Sequence, residues 1–297
     1  MGYVFLGLSV ACSIVLGVIF KEINRFRLNL LQVICWNYIA CVGVGAFLSP
    51  DSIQNILHTT PNPLPLALIE GALFIGMFVL IGYITQWIGL GYVALLTRMS
   101  VVIPILVSFV VYDEFIGIWK GAGIFLALAA VWLINHGKLD KGKAGMPLWK
   151  IGTLAVIAFI GSGTVDTLLK VYQTSYTSPE GGENDFLVFL FGTAAALGIL
   201  LVTFQVLTGK APFSWRNFPA GLLLGIANYF SAFFVIKALN FFEGPTFFPV
   251  NNVSVLLLAT LVGIFVYGEK YNARNRMGLV FAVAAIGMIL LSNLQQT

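Results

Sequence analysis

Along its length the chain alternates long apolar runs with short polar breaks, and the apolar runs set the prediction. A helix needs roughly 20 mainly apolar residues to cross a bilayer. Ten such runs can be marked, at about residues 2–20, 28–48, 66–88, 91–112, 117–135, 148–170, 186–207, 219–240, 246–267 and 276–293. Hydrocarbon offers a backbone no hydrogen-bond partner, so each crossing is expected to be a helix. The pattern predicts an all-α integral membrane protein with ten transmembrane helices, and it leaves little chain for a soluble domain. Leu8-Ser9-Val10-Ala11-Cys12 has some likeness to a lipoprotein cleavage box. No basic segment precedes it, so the first run is expected to be a retained helix.

The spans also resemble one another. A shift of 155 residues lays Val111-Tyr112-Asp113-Glu114 on Val266-Tyr267-Gly268-Glu269, Gly123 on Gly278, Ala127 on Ala282, Ala129-Ala130 on Ala284-Ala285 and Ile134 on Ile289. A shift of 149 lays Ser13 on Ser162, Lys21 on Lys170 and Gly76 on Gly225. Glycine and charged positions match as well as apolar ones, which is the mark of a duplicated fold. Each copy holds five spans, an odd number, so the second copy enters the membrane from the opposite side. The expected organisation is a first five-helix repeat over 1–136, a basic linker over 137–147 and a second five-helix repeat over 148–297. Inverted repeats of this kind place a substrate site near the midplane between the halves.

Composition agrees with lipid as the solvent. The 297 residues are 59% hydrophobic and only 9% charged, against roughly 25% charged in ordinary globular domains. That balance argues against a nucleic-acid partner and a secreted disulfide scaffold. Cys12, Cys35 and Cys41 lie within apolar runs without metal-ligand spacing and read as buried thiols. The basic residues are lopsided: twelve fall in the loops at Lys21–Arg27, Lys138–Lys150, Lys210–Arg216 and Lys270–Arg276, whereas the opposite loops hold only Lys120. Short basic loops stay cytoplasmic. Both termini are therefore expected on the non-cytoplasmic side of the cytoplasmic (inner) membrane.

These residues resemble the drug/metabolite transporter superfamily, in its EamA-like branch. The resemblance runs over nearly the whole chain. It rests on ten spans in two five-helix copies, a lysine closing the first helix of each copy (Lys21, Lys170), and the helix, Tyr-x-Glu, glycine-bearing helix pattern ending each copy, Pro104–Ile134 and Pro249–Ile289. Pro104 and Pro249 are not equivalent at the 155-residue shift. The resemblance implies a secondary transporter without cofactor or metal, whose partners are the lipid bilayer and a small-molecule substrate and for which a monomer suffices.

Polar groups within the spans are the candidate site, because charge in hydrocarbon is costly and faces a cavity or a partner. Trp36, Asn37, Asn228 and Tyr229 lie halfway along the second and eighth spans, and an amide beside an aromatic ring suits a small amphipathic metabolite. The simpler reading is an amide bonded to a neighbouring helix. Arg98, which cannot shed its proton, is the least expected residue in the fourth span. It either binds a substrate anion, with Asn251 and Asn252 of the ninth span at similar depth, or snorkels to the cytoplasmic surface. Asp166 and Lys170 are spaced as an i, i+4 ion pair. Alternatively Asp166 carries coupling protons and Lys170 and Lys21 compensate substrate charge. Lys237 and Glu70 are expected to snorkel. Glu114 and Glu269 are expected to stabilise helix N-termini. Gly117-x-x-x-Gly121 and Gly221-x-x-x-Gly225 suggest close helix contacts, and Gly161-Ser162-Gly163 a point of bending.

Two competing classes remain. A membrane-embedded lipid-modifying enzyme would need chemistry the chain lacks: His58 and His136 are its only histidines, and no paired-aspartate metal motif, nucleophile elbow or phosphate-binding glycine loop occurs. A passive channel or scramblase would have the same composition. The expected activity is alternating-access transport of a small organic metabolite or amphipathic compound, with proton coupling as an option, and not catalysis.

Overall fold

The structure, a computed structural model, describes residues 1–87, 90–135, 147–176, 182–268 and 272–294. Its regular elements are helices: α1 (Gly2–Arg25), α2 (Leu30–Leu48), α3 (Ser52–His58), α4 (Leu64–Trp87), α5 (Leu90–Met99), α6 (Val102–Val111), α7 (Ile118–Asn135), α8 (Leu148–Ser175), α9 (Glu183–Leu207), α10 (Phe218–Leu239), α11 (Gly244–Phe265) and α12 (Ala273–Leu294). Among the described residues nine helices are long and apolar enough to cross a membrane. Large apolar side chains point outward from their middles, with Phe125 72% and Leu200 65% exposed. Surface of that kind is stable only against lipid. The protein is a multi-pass, all-helical membrane protein.

The fourth expected span departs from a single helix over 91–112. It is divided into α5 and α6 by a turn at Ser100–Val101. Pro104 is the cause, because it has no N–H to give the carbonyl four residues back. That carbonyl, Ser100 O, instead accepts the Ile103 amide at 2.9 Å in a tighter i→i−3 bond. The Ser100 hydroxyl turns back to Thr97 O at 2.7 Å. Pro249 lies inside α11 without dividing it.

The chain packs as two compact units, and neither is a half of the sequence. The first comprises Met1–Gly2, Leu80–Thr167 and Ala238–Thr297; the second comprises Tyr3–Val79 and Leu168–Lys237. Each unit draws one long helix pair from the two sequence copies.

In the first unit that pair is α7 and α12. A Cβ on Gly123 would lie 2.6 Å from Ile289, and one on Gly278 would lie 2.8 Å from Ile134. Gly123 matches Gly278 and Ile134 matches Ile289 in the 155-residue alignment, so the contact is reciprocal. Ala127, Ala130, Ala282 and Ala285 fill the space between. As α7 advances from 123 to 134 its partner recedes from 289 to 278, so the two helices are antiparallel.

In the second unit α2 packs along α9. Gly45 faces Val188, Gly198 faces Cys35, and the Ser49 hydroxyl donates to Asp185 Oδ1 at 2.5 Å. Here too the helices are antiparallel. Of the basic linker 137–147, only Pro147 is among the described residues.

Candidate functional site

The last turn of α5 carries Arg98, which the break after Met99 leaves half-buried inside the first unit. Its Nη1 donates to Asn252 Oδ1 of α11 at 2.9 Å. The other end of that amide, Nδ2, donates to Phe248 O at 3.2 Å, so both ends fix its orientation. Asp166 of α8, also half-buried, interacts electrostatically with the guanidinium. Helix α8 comes this close because Gly163 has no side chain: a Cβ there would lie 2.8 Å from Ser100 O and 2.7 Å from Ile103 Cβ. Gly163 thus serves packing against the α5–α6 break, and α8 runs through it as one helix. A narrow crevice beside the pair is lined by Arg98 and Asn252 together with Val101, Ile124, Leu128 and Pro249. Thr97 and Asn252 match in the 155-residue alignment, so Arg98 and Asn252 join nearly equivalent places in the two copies. Asn251, the next residue on α11, is half-buried.

A second charged group of the same unit lies at the start of α7. Lys120, counted from sequence as a loop residue, is in the helix with its side chain fully buried, and it bonds Glu243 Oε2 at 2.7 Å and Phe115 O at 3.2 Å. Glu114 Oε2 accepts the Gly244 amide at 2.7 Å. It therefore stabilises the N-terminus of α11. Glu269 lies outside the described residues.

In the second unit, α2 and α10 touch through Gly221 and Gly225. Cβ atoms there would collide with Trp36 Cβ and Asn37 O respectively. By contrast a Cβ on Gly121 would meet only Ile116, at 3.7 Å, so Gly121 makes no such contact. Trp36 stacks into an aromatic group with Phe213, Trp215 and Phe218, centroid distances 6.5, 5.6 and 4.9 Å. Asn37 is fully buried, and neither atom of its amide has a hydrogen-bond partner. Asn228 is buried beside Cys41, with Nδ2 likewise unpartnered, while the Cys41 thiol donates to Gly225 O at 3.2 Å. Tyr229 is fully buried and donates to Asn184 Oδ1 at 2.8 Å.

Lysines of this unit have partners of their own. Lys170 donates to Gln173 Oε1 at 3.1 Å and is buried, whereas Lys21 is half-buried near the end of α1. Lys237 does not simply snorkel: it pairs with the buried Glu183 at 2.8 Å. Glu70 does not snorkel either, being fully buried. Among the described residues no three His, Cys, Asp or Glu side chains are grouped to hold a metal ion.

Asn184, Glu183 and Glu243 carry no mark of a site in the sequence. Each sits at a helix end, where a polar residue looks like an ordinary boundary. For the break beside Arg98 the available signal is Pro104, four residues after Ser100.

No family model matches the chain. An uncharacterized protein from Haemophilus influenzae is 26% identical over 285 residues, covering 94% of each chain. A crystal structure of another protein matches 100% of this chain and 99% of its own with a TM-score of 0.75 at 12% identity, a likeness of fold.

Proposed function

We propose that this protein is a secondary transporter of the drug/metabolite transporter superfamily, EamA-like, moving a small organic metabolite across the cytoplasmic membrane by alternating access between two inverted five-helix repeats. The observation that carries the reading is the antiparallel, reciprocal packing of α7 on α12. Helices at matching places in two parallel repeats would run the same way; in inverted repeats they run opposite ways. The α2–α9 pair, the second span of each copy, is antiparallel as well.

The Arg98–Asn252–Asp166 group supports the reading further, because transporters bind substrate beside broken helices at the meeting of their repeats. Arg98 flanks such a break. Asn37 and Asn228 form a second polar set, whose unpartnered atoms carry a desolvation cost that a hydrogen-bonding ligand or a rearrangement would relieve. The test is a ligand-stability screen on purified protein followed by counterflow with the hits in proteoliposomes. Saturable counterflow by a stabilising ligand is expected. A hit that stabilises the protein yet is chemically converted identifies an enzyme, and non-saturable lipid or solute flux identifies a scramblase or channel.

A further inference from the structure

We propose that the loops joining α1 to α2 and α9 to α10 form one recognition surface for anionic phospholipid, in which Arg27, Lys210 and Arg216 take the lipid phosphate while Phe26, Phe213 and Trp215 sit at headgroup depth. Such a surface needs a chain that spans a bilayer; it does not depend on the transporter reading.

The two loops are fastened to each other. Gln32, buried in the first turn of α2, donates through Nε2 to Pro212 O at 2.8 Å, and its Oε1 accepts the Ser214 amide at 2.9 Å and Asn217 Nδ2 at 2.7 Å. Asn217, also buried, accepts the Asn29 amide at 3.0 Å, and Asn29 in turn caps α2 by accepting the Gln32 amide at 3.1 Å. Trp36 packs against Phe213 and Trp215, whose rings lie 5.4 Å apart. These contacts hold the loops from within, so a ligand has little ordering left to impose.

Outward, the same loops show rings and cations. Trp215 is 68% and Phe26 60% exposed. Lys210 comes three residues after Leu207, the exposed end of α9, and Trp215–Asn217 lead directly into α10, so the loop lies where two spans leave the hydrocarbon. Aromatic side chains at that level belong to the membrane interface. Lys210 Nζ lies 5.5 Å from the centre of the exposed Phe204 ring, so cation and lipid-facing surface adjoin. That continuity favours lipid over a soluble partner. Residues 21–32 and 205–218 hold five cations, Lys21, Arg25, Arg27, Lys210 and Arg216, against one acid, Glu22. Glu22 pairs with Arg25 at 3.4 Å. Among the described residues no acid pairs with Arg27, Lys210 or Arg216. Both loops belong to the basic set expected on the cytoplasmic side, whose leaflet carries negative charge.

The backbone at Arg27 is an independent sign that a cation is wanted there. Helices α1 and α9 end alike: the Leu28 amide reaches Ile23 O at 3.1 Å and the Lys210 amide reaches Gln205 O at 3.1 Å, each across one left-handed residue. In α9 that residue is Gly209, with φ 68°; in α1 it is Arg27, with φ 52°. Glycine is the usual occupant of this turn. An arginine held there against a steric cost implies a use for its side chain.

The experiment counts lipids on the purified full-length protein by native mass spectrometry and records melting in detergent, with phosphatidylglycerol, phosphatidylcholine and glycerol phosphate as probes at low and high salt. Phosphatidylglycerol is expected to bind at least about fivefold more tightly than phosphatidylcholine and to raise the melting temperature, an advantage that high salt removes. Glycerol phosphate, an anion without acyl chains, should not stabilise. Arg27→Gly, Lys210→Gln and Arg216→Gln should each weaken phosphatidylglycerol binding about fivefold, and the three combined should abolish the preference. Arg27→Gly should do this with lipid-free melting unchanged or raised, which separates lost binding from lost fold. Trp215→Ser should weaken both lipids. Lys138→Gln/Lys141→Gln/Lys143→Gln removes the same charge from the basic linker and should leave the preference intact. Equal binding of the two lipids would assign the surface to plain anchoring or to a soluble partner and overturn the proposal. So would stabilisation by glycerol phosphate alone, a Trp215→Ser variant that binds both lipids normally, or a linker triple that loses the preference as fully as the loop triple. Failure of counterflow would bear on the transporter reading and leave this surface standing.

Discussion

Lys120 and Glu243 form an unequal pair: the lysine side chain is fully buried, while the glutamate is 43% exposed. Removing one partner of a buried ion pair is costly because the other is left uncompensated. Water can reach Glu243 but not Lys120. Glu243→Gln is therefore expected to destabilise the protein by on the order of 3 kcal/mol, and Lys120→Met by clearly less, a ranking that thermal melts in detergent would check. A second residue-scale expectation concerns the Tyr-x-Glu motif. Its middle position is Asp113 in one copy and Gly268 in the other, with φ of 53° and 65°. The left-handed conformation that both adopt explains why x is a residue tolerant of it. Asp113→Gly should leave the melting temperature unchanged or raised, and Gly268→Val should lower it, by about 1 kcal/mol of stability or more.

At the scale of elements, hydropathy made the spans legible because crossing length is a property of one segment alone. Prolines were less informative. Pro104 divides its span while Pro249 does not divide α11, and no local pattern in the sequence distinguishes the two. Arg98 and Asn252 stood out as polar residues in apolar runs. Their hydrogen bond did not, since it joins residues 154 apart. Asp166 showed its sequence neighbour Lys170 and concealed its interaction with Arg98, which depends on α5 and α8 being adjacent. Likewise two glycine pairs look alike in sequence but differ in their surroundings. Gly225→Val should separate α2 from α10 and cost stability in the range of about 1–3 kcal/mol or more, whereas Gly121→Ala should be tolerated; melting of the two variants at matched expression distinguishes them.

For the whole molecule, the expected orientation rests on the count of Lys and Arg in the short loops. Lys120 and Lys237, both near the side expected to be external, each pair with a glutamate. Because acidic partners do not enter that count, the orientation stays an expectation with a direct test. A cysteine introduced at Ala144 should react with an impermeant maleimide only from the cytoplasm, and one at Ser178 only from outside. Labelling of the Ser178 site from the cytoplasmic side would reverse the topology.

Because each compact unit draws on both halves of the chain, synthesis must run well ahead of packing. The second unit lacks its last helix until Lys237 has been made, and the first waits for α12. Throughout that interval the glycine and alanine face of α7 lacks α12, since α7 ends at Asn135 and α12 begins only at Ala273. A nascent chain stopped after Leu239 should consequently protect α2, α9 and α10 from membrane proteases while α7 stays open to cleavage or to capture by insertion chaperones. Extending it through α12 should close that window in a single step.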